Sequence, residues 1–141
     1  MKKNIIVLKL AIIVSLSVNS QILKVPEAVL AAFKNKFPDA GGVKWGKENA
    51  TEYEAEFKLN NTAVSANFKL DGSWVETETT ISIADLPEAV STAVTKKYPG
   101  AVITMAEKTE MPGNKIIYEV AIKINGRKKA LELNPGGGFV K

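Results

Sequence analysis

Cysteine and histidine are both absent from the 141 residues of the chain. Their absence excludes disulfides, thiolate and imidazole metal sites, and the Ser-His-Asp and Cys-His catalytic arrangements. No Ser-Lys motif and no distinctive pair of carboxylates replaces these groups. We therefore expect a protein that is not an enzyme, with no catalytic residues, no resident metal and no cofactor.

Long apolar runs are also missing, apart from a short one near the amino terminus. A basic start at residues 1–3 precedes an apolar stretch at residues 10–18, which is shorter than the ~20 residues needed to span a bilayer. Small or modest side chains at residues 18–20 suit cleavage before Gln21. Residues 1–20 are therefore predicted to be a signal peptide, with a retained anchor helix as the alternative. We expect a periplasmic or secreted bacterial protein without stable membrane insertion.

Positive charge is scarce once the predicted signal peptide is set aside. Loss of the lysines in residues 1–20 lowers the formal net charge from +4 to +1. Nucleic-acid binding requires a basic face, and only Arg127-Lys128-Lys129 resembles a phosphate-contacting cluster, so we expect no nucleic-acid partner. The remaining charge is negative over residues 24–84 and positive over residues 85–141, which predicts two halves with surfaces of opposite sign.

The main feature that the sequence does contain is an internal repeat. The segment Val25-Pro26-Glu27-Ala28-Val29 returns as Leu86-Pro87-Glu88-Ala89-Val90, and Phe37-Pro38 returns as Tyr98-Pro99. The two proline pairs have the same spacing along the chain, whereas Tyr53 and its counterpart Tyr118 lie slightly farther apart. We place the additional residues of the second copy in a longer loop around residues 110–114. A duplicated module of this kind predicts two similar units that share one structure.

Each copy is predicted to begin with a helix and to continue as a meander of strands. A proline followed by glutamate suits the first helical turn, and Pro38 and Pro99 end the two helices. Period-two segments follow, with turn signals such as Asn60-Asn61 and Asn125-Gly126 between them. The predicted strands lie near residues 43–47, 52–59, 63–70 and 73–81, and near residues 101–109, 115–124, 127–133 and 138–141.

These elements predict an α+β fold in which two helix-plus-antiparallel-meander repeats form one sheet. The repeats are placed at about residues 23–84 and 85–141, within a single domain of residues 23–141. Inward alternation of Tyr53, Ala55 and Phe57 indicates that both helices pack on one face of the sheet. The other face is then left open, as antiparallel sheets allow.

The open face is expected to carry the binding residues. Alternation places Glu52, Glu54 and Glu56 there, with Glu76 and Glu78 of a nearby strand, together with the aromatic residues Trp74 and Phe139. Aromatic side chains set among polar residues are favoured anchors in protein interfaces. The alternative is that a β-bulge after the preceding glycine turns each ring into the core.

The helix starts and exits, the Tyr-Glu pairs and the Asp71-Gly72-Ser73-Trp74 hairpin together resemble the PepSY-like family of beta-lactamase-inhibitor-like proteins. The resemblance covers residues 23–141. It implies an exported bacterial protein with helices on one face of an antiparallel sheet, and a role in inhibiting or regulating peptidases. The beta-lactamase inhibitor in this comparison grips its target with the open face of such a sheet, although the present chain lacks its disulfides.

We therefore predict a non-enzymatic exported binding protein that holds a protein or peptide partner on the open face of its sheet. The resemblance makes an envelope peptidase the partner to consider. The alternatives are a purely structural envelope component, or a small-ligand or calcium-binding envelope sensor that uses the acidic sheet face, because calcium prefers oxygen ligands. The candidate partner-binding residues are Trp74, Phe139, Glu52, Glu54, Glu56 and Lys123.

Overall fold

The computed structural model describes residues 23–140, so the predicted signal peptide at residues 1–20 lies outside the described residues. Two helices and seven strands follow one another along the chain, with a short 3-10 turn at Ile83–Asp85. In chain order they are α1 (Glu27–Lys36), β1 (Gly41–Lys47), β2 (Glu52–Leu59), β3 (Thr62–Lys69), β4 (Trp74–Ile81), α2 (Glu88–Lys97), β5 (Val102–Met111), β6 (Lys115–Ile124) and β7 (Arg127–Leu133).

The strands form one antiparallel sheet in the order β1-β2-β3-β4-β5-β6-β7, so every strand pairs with its neighbours in sequence. The predicted α+β fold is confirmed. The eighth strand predicted at residues 138–141 is wrong, because only an isolated bridge joins Phe139 to Leu133. The amide of Asn134 donates to the carbonyl of Gly138, so Gly138, the first residue of the predicted strand, belongs to a tight turn.

Both helices begin and end as the prolines indicated. Pro26 and Pro87 stand immediately before α1 and α2, and their carbonyl oxygens accept the first helical hydrogen bonds. Phe37 and Tyr98 end the helices, each donating its backbone N–H to a carbonyl of the last turn. Helix ends set by local sequence in this way fix where the helix side chains meet the sheet.

The core consists of two clusters, one under each helix. Val29 and Phe33 of α1 pack on inward side chains of β2 and β3, including Phe57. Val90 and Val94 of α2 pack in the same way on β6 and β7. Full burial of such a side chain stabilises the fold by about 1.5–3 kcal/mol, so each helix is held to its own part of the sheet.

The additional residues of the second copy lengthen a hairpin. In the first copy β1 and β2 pair only as far as Lys47 with Tyr53, whereas β5 and β6 continue to the pair of Met111 with Lys115. The prediction of a longer loop around residues 110–114 is therefore wrong, because most of the added length is paired strand and only residues 112–114 form the turn.

Candidate functional site on the open sheet face

Glutamates gather on the sheet face opposite the helices. Residues that pair directly across antiparallel strands lie on the same face. Glu54 pairs with Asn67 and Asn67 with Glu76, while the neighbouring row runs from Glu56 to Glu78 through β3. The first of these rows is linked by side chains as well, because Asn67 Nδ2 donates to Glu76 Oε1 at 3.1 Å.

The second copy extends the same acidic surface. Thr80 of β4 pairs with Glu107, Glu107 pairs with Glu119, and Glu119 pairs with Glu132, so three more glutamates stand in one row across β5, β6 and β7. We call this surface the acidic face. Its glutamates are Glu54, Glu56, Glu76, Glu78, Glu107, Glu119 and Glu132.

Crowding of these carboxylates makes some of them difficult to ionise. Burial, followed by repulsion from Glu107, Glu78 and Glu132, raises the pKa of Glu119 to about 7. Burial and then repulsion from Glu76 also raise the pKa of Glu132. The acidic face therefore holds electrostatic repulsion that either a proton or a bound cation relieves.

Asn67 adds a hydrogen-bond acceptor to the acidic face. Its side chain is only 3% exposed although it stands on the open side of the sheet. Its Oδ1 atom has no hydrogen-bond partner among residues 23–140. A buried acceptor without a donor costs free energy, so a donor brought by a ligand would be favourable at this point.

The predicted acidic residues belong to this surface to different degrees. Glu54 and Glu56 lie within the acidic face, while Glu52 stands at its margin, where it pairs with Lys69. Lys123 lies away from the glutamate rows, paired with Val102 and with Lys128.

The predicted placement of Trp74 and Phe139 on the open face is wrong. Trp74 pairs with Phe68, a wholly buried core residue, because Val75 forms a bulge before the register resumes at Glu76. Phe139 bridges to Leu133, which is also buried. Both rings therefore lie on the helix side, packed against the two core clusters, and for Trp74 the cause is a bulge, as the alternative held.

The acidic face also includes residues that the sequence analysis did not select. Glu107, Glu119 and Glu132 come from the second copy, and Glu119 is the counterpart of Glu54 in the same alignment that matches Tyr53 with Tyr118. That correspondence is the available signal in the sequence. The alignment of the glutamate rows of the two copies depends on the pairing of β4 with β5, which joins the copies. No local sequence pattern predicts that pairing.

Residues 23–140 contain no group of three or more acidic side chains arranged to hold a metal ion. The calcium alternative thus lacks a preformed site in this part of the chain. Within the same residues, neither helix has the length and apolar character to cross a membrane.

The chain resembles known proteins in sequence and in fold. The family model described as "Putative beta-lactamase-inhibitor-like, PepSY-like" matches residues 15–64 and again residues 51–141. No curated protein matches the sequence. A solved structure described as a BLIP-like protein from Bacteroides fragilis shares 27% identity with this chain, with a TM-score of 0.74 and 86% of each chain covered.

Two further solved structures share the fold. A DUF2874 family protein from Bacteroides ovatus is 27% identical, with a TM-score of 0.76 over 84% of this chain and 86% of that chain. A structure from Bacteroides eggerthii, described as "putative periplasmic proteins", is 22% identical, with a TM-score of 0.77 over 84% of this chain and 88% of that chain.

Proposed function

The chain belongs to the PepSY-like family of beta-lactamase-inhibitor-like proteins, and we propose that it is a non-enzymatic periplasmic protein that binds a basic protein or peptide on its acidic face. The observation that carries this proposal is the gathering of glutamates from both copies on one surface, where burial and then mutual repulsion raise the pKa of Glu119. Arg or Lys side chains of a partner would relieve that repulsion.

The extent of the acidic face favours a peptide or a protein surface over a single small ion. Its glutamates occupy every strand from β2 to β7 except β3, which contributes Asn67. Neighbouring strands are about 4.8 Å apart, so the surface is roughly 24 Å wide. A partner with several cations spaced along a chain or a surface matches this width.

An envelope peptidase is the partner that we propose within this class. The support is the inhibitor-like description of the family and the periplasmic description of a structural neighbour. Peptidase regulation through the acidic face requires a basic patch on the enzyme. Complementary charge of this kind speeds association and fixes the orientation of the partner.

The test is the binding of a fluorescent arginine-rich peptide to the full chain, followed by anisotropy. We expect the variant Glu76→Gln, Glu78→Gln, Glu119→Gln to bind about tenfold more weakly or worse, because charged hydrogen bonds are lost. Binding should also weaken as the pH falls from about 8 to about 6, because Glu119 gains a proton and loses its charge near pH 7.

The matched control removes three negative charges elsewhere, with the changes Glu27→Gln, Glu88→Gln and Asp39→Asn. These residues are exposed and lie in or beside the helices. Retained binding by this control and reduced binding by the acidic-face variant support the proposal. Equal loss in the two variants means that only net charge matters, and that result contradicts it.

A further inference from the structure

The duplication provides an internal comparison for the tip of the β6–β7 hairpin. Leu59 pairs with Thr62 at the β2–β3 tip, and Ile124 pairs with Arg127 at the β6–β7 tip, so the two tips share one register and correspond position by position. Three neutral residues of the first tip correspond to three cations of the second. They are Thr62, Ala63 and Val64 in the first copy, and Arg127, Lys128 and Lys129 in the second.

The first tip shows what this part of the fold needs for stability. Val64 is buried in the core, and Phe37 at the end of α1 packs against Phe57 with ring centroids 4.8 Å apart. The second copy has Tyr98 at the place of Phe37 and Lys129 at the place of Val64. The first tip thus folds with apolar and neutral side chains at the positions that carry cations in the second tip.

One cation of the second tip contacts a hydroxyl group, and a lysine of α2 lies nearby. Lys129 Nζ donates to the Tyr98 hydroxyl oxygen at 2.7 Å and lies 4.6 Å from the centroid of the Tyr98 ring. Lys97 Nζ lies 5.9 Å from the same centroid. Since the Tyr98 oxygen accepts from Lys129, its own O–H remains available to donate to a ligand.

Tyr98 and Lys129 border a cavity of ≈ 510 Å³ at the surface. It is lined by Tyr98, Ile124, Asn125, Arg127, Lys128 and Lys129, and we call it the basic pocket. Among residues 23–140 no ion pair joins its cations to a carboxylate. Like charges gathered without a counter-charge are unfavourable, and a bound anion removes that cost.

We propose that the basic pocket binds a phosphate group. The Arg127 guanidinium provides paired N–H donors that fit phosphate oxygens, Lys129 provides an ammonium group, and Tyr98 provides a hydroxyl donor. Lys128 pairs with Lys123 and so stands on the opposite face of the sheet, where it adds only to the local positive charge. The same chemistry occurs in a free phosphate compound and in the headgroup of an anionic phospholipid. The pocket is separate from the acidic face, so it does not depend on the function proposed above.

The experiment is an NMR titration of backbone amides in the full chain with inorganic phosphate at constant ionic strength. We expect saturable shifts at residues 124–129 and at Tyr98. A parallel titration uses vesicles of phosphatidylcholine with phosphatidylglycerol, against vesicles of phosphatidylcholine alone. Shifts with phosphate indicate a free phosphate compound, and shifts only with the anionic vesicles indicate a lipid headgroup; either result supports the proposal.

The decisive variant gives the second tip the residues of the first, with the changes Arg127→Thr, Lys128→Ala and Lys129→Val. We expect its affinity for the probe to fall by about tenfold or more. The control Lys34→Ala, Lys58→Ala, Lys69→Ala removes the same positive charge from exposed positions elsewhere and should bind like the wild type. Tyr98→Phe keeps the ring but removes the donor, so it tests the pocket without altering net charge.

Two results would overturn the proposal. One is the absence of saturable shifts with both phosphate and anionic vesicles. The other is an equal loss of affinity in the tip variant and in the charge-matched control. If the tip variant fails to fold, Tyr98→Phe decides the matter, because unchanged affinity in that variant also contradicts the predicted hydroxyl contact.

Discussion

Trp74 lies against the first helix, with the amino group of Lys36 at 3.6 Å from the ring centroid. Its indole N–H donates to the hydroxyl oxygen of Thr77 at 2.9 Å. Phe139 takes the equivalent position in the second copy, where Lys97 Nζ lies 3.8 Å from the ring centroid. Each ring joins a helix to the sheet and is shielded from solvent on one side by a lysine.

Removal of either ring should therefore affect stability and leave binding by the acidic face intact. We expect Trp74→Ala and Phe139→Ala each to lower the free energy of unfolding by about 2–4 kcal/mol, because packing is lost without a replacement. Urea denaturation measures this change, with Trp74→Phe as a milder control. Unchanged stability together with loss of peptide binding would contradict the placement of the rings on the helix side.

The residue scale also shows where sequence patterns fail. Alternation correctly places Tyr53 and Phe57 toward the core because β2 and β3 pair without interruption. Alternation through β4 assigns Glu76 and Glu78 correctly but misplaces Trp74, because the single bulged residue Val75 shifts the register. A bulge depends on how the partner strand fits, and the sequence of one strand does not reveal it.

At the scale of elements, two equivalent turns hold the helices in place. Gly72 has φ +86°, and a Cβ added there would lie 2.6 Å from the carbonyl oxygen of Ala28 in α1. Gly137 has φ +82° and meets the carbonyl oxygen of Ala89 in α2 in the same way. A side chain at either position would force a turn and a helix apart.

We expect Gly72→Ala and Gly137→Ala each to lower the free energy of unfolding by at least about 2 kcal/mol, through backbone strain and steric overlap. Gly100→Ala is the control, because Gly100 has φ +79° but no atom within 4 Å of an added Cβ. It should show the backbone cost alone, about 1 kcal/mol. Equal losses at Gly72 and Gly100, measured by urea denaturation, would show that the close approach to the helix is unimportant.

Elements defined by local chemistry are predictable from this sequence, and elements defined by distant pairing are less so. The prolines mark both helices, and the turn residues mark most hairpins. The long β5–β6 hairpin is different, because Pro112 and Gly113 indicate a turn but not how far the strands pair on either side of it. The predicted eighth strand fails for a related reason, because the turn between Asn134 and Gly138 takes up residues that the sequence pattern assigned to it.

At the scale of the whole molecule, charge divides by surface. The sequence predicts an acidic first half and a basic second half, yet Glu107, Glu119 and Glu132 of the second half complete the acidic face. Pairing of β4 with β5 brings both sets of glutamates onto one surface. Three cations of the second half, Arg127, Lys128 and Lys129, stand at the β6–β7 tip and line the basic pocket.

About half of the candidate site can be predicted from the sequence, because alternation within one strand is enough to place some of its glutamates. Glu54 and Glu56 are predicted from alternation within β2, whereas the full row of glutamates appears only when strands from both copies are placed side by side. Burial first, and repulsion between the glutamates second, raise the pKa of Glu119, and both arise only in the assembled sheet.

The pKa of Glu119 is therefore the most direct measurement, followed by NMR of the side-chain carboxyl carbon with and without saturating arginine-rich peptide. We predict a pKa of about 7 in the free protein. A bound cation favours the ionised carboxylate, so the pKa of Glu119 should fall toward the ordinary glutamate value of 4.5 in the complex. An ordinary pKa in the free protein, or a raised value that the peptide leaves unchanged, would contradict binding of a basic partner at the acidic face.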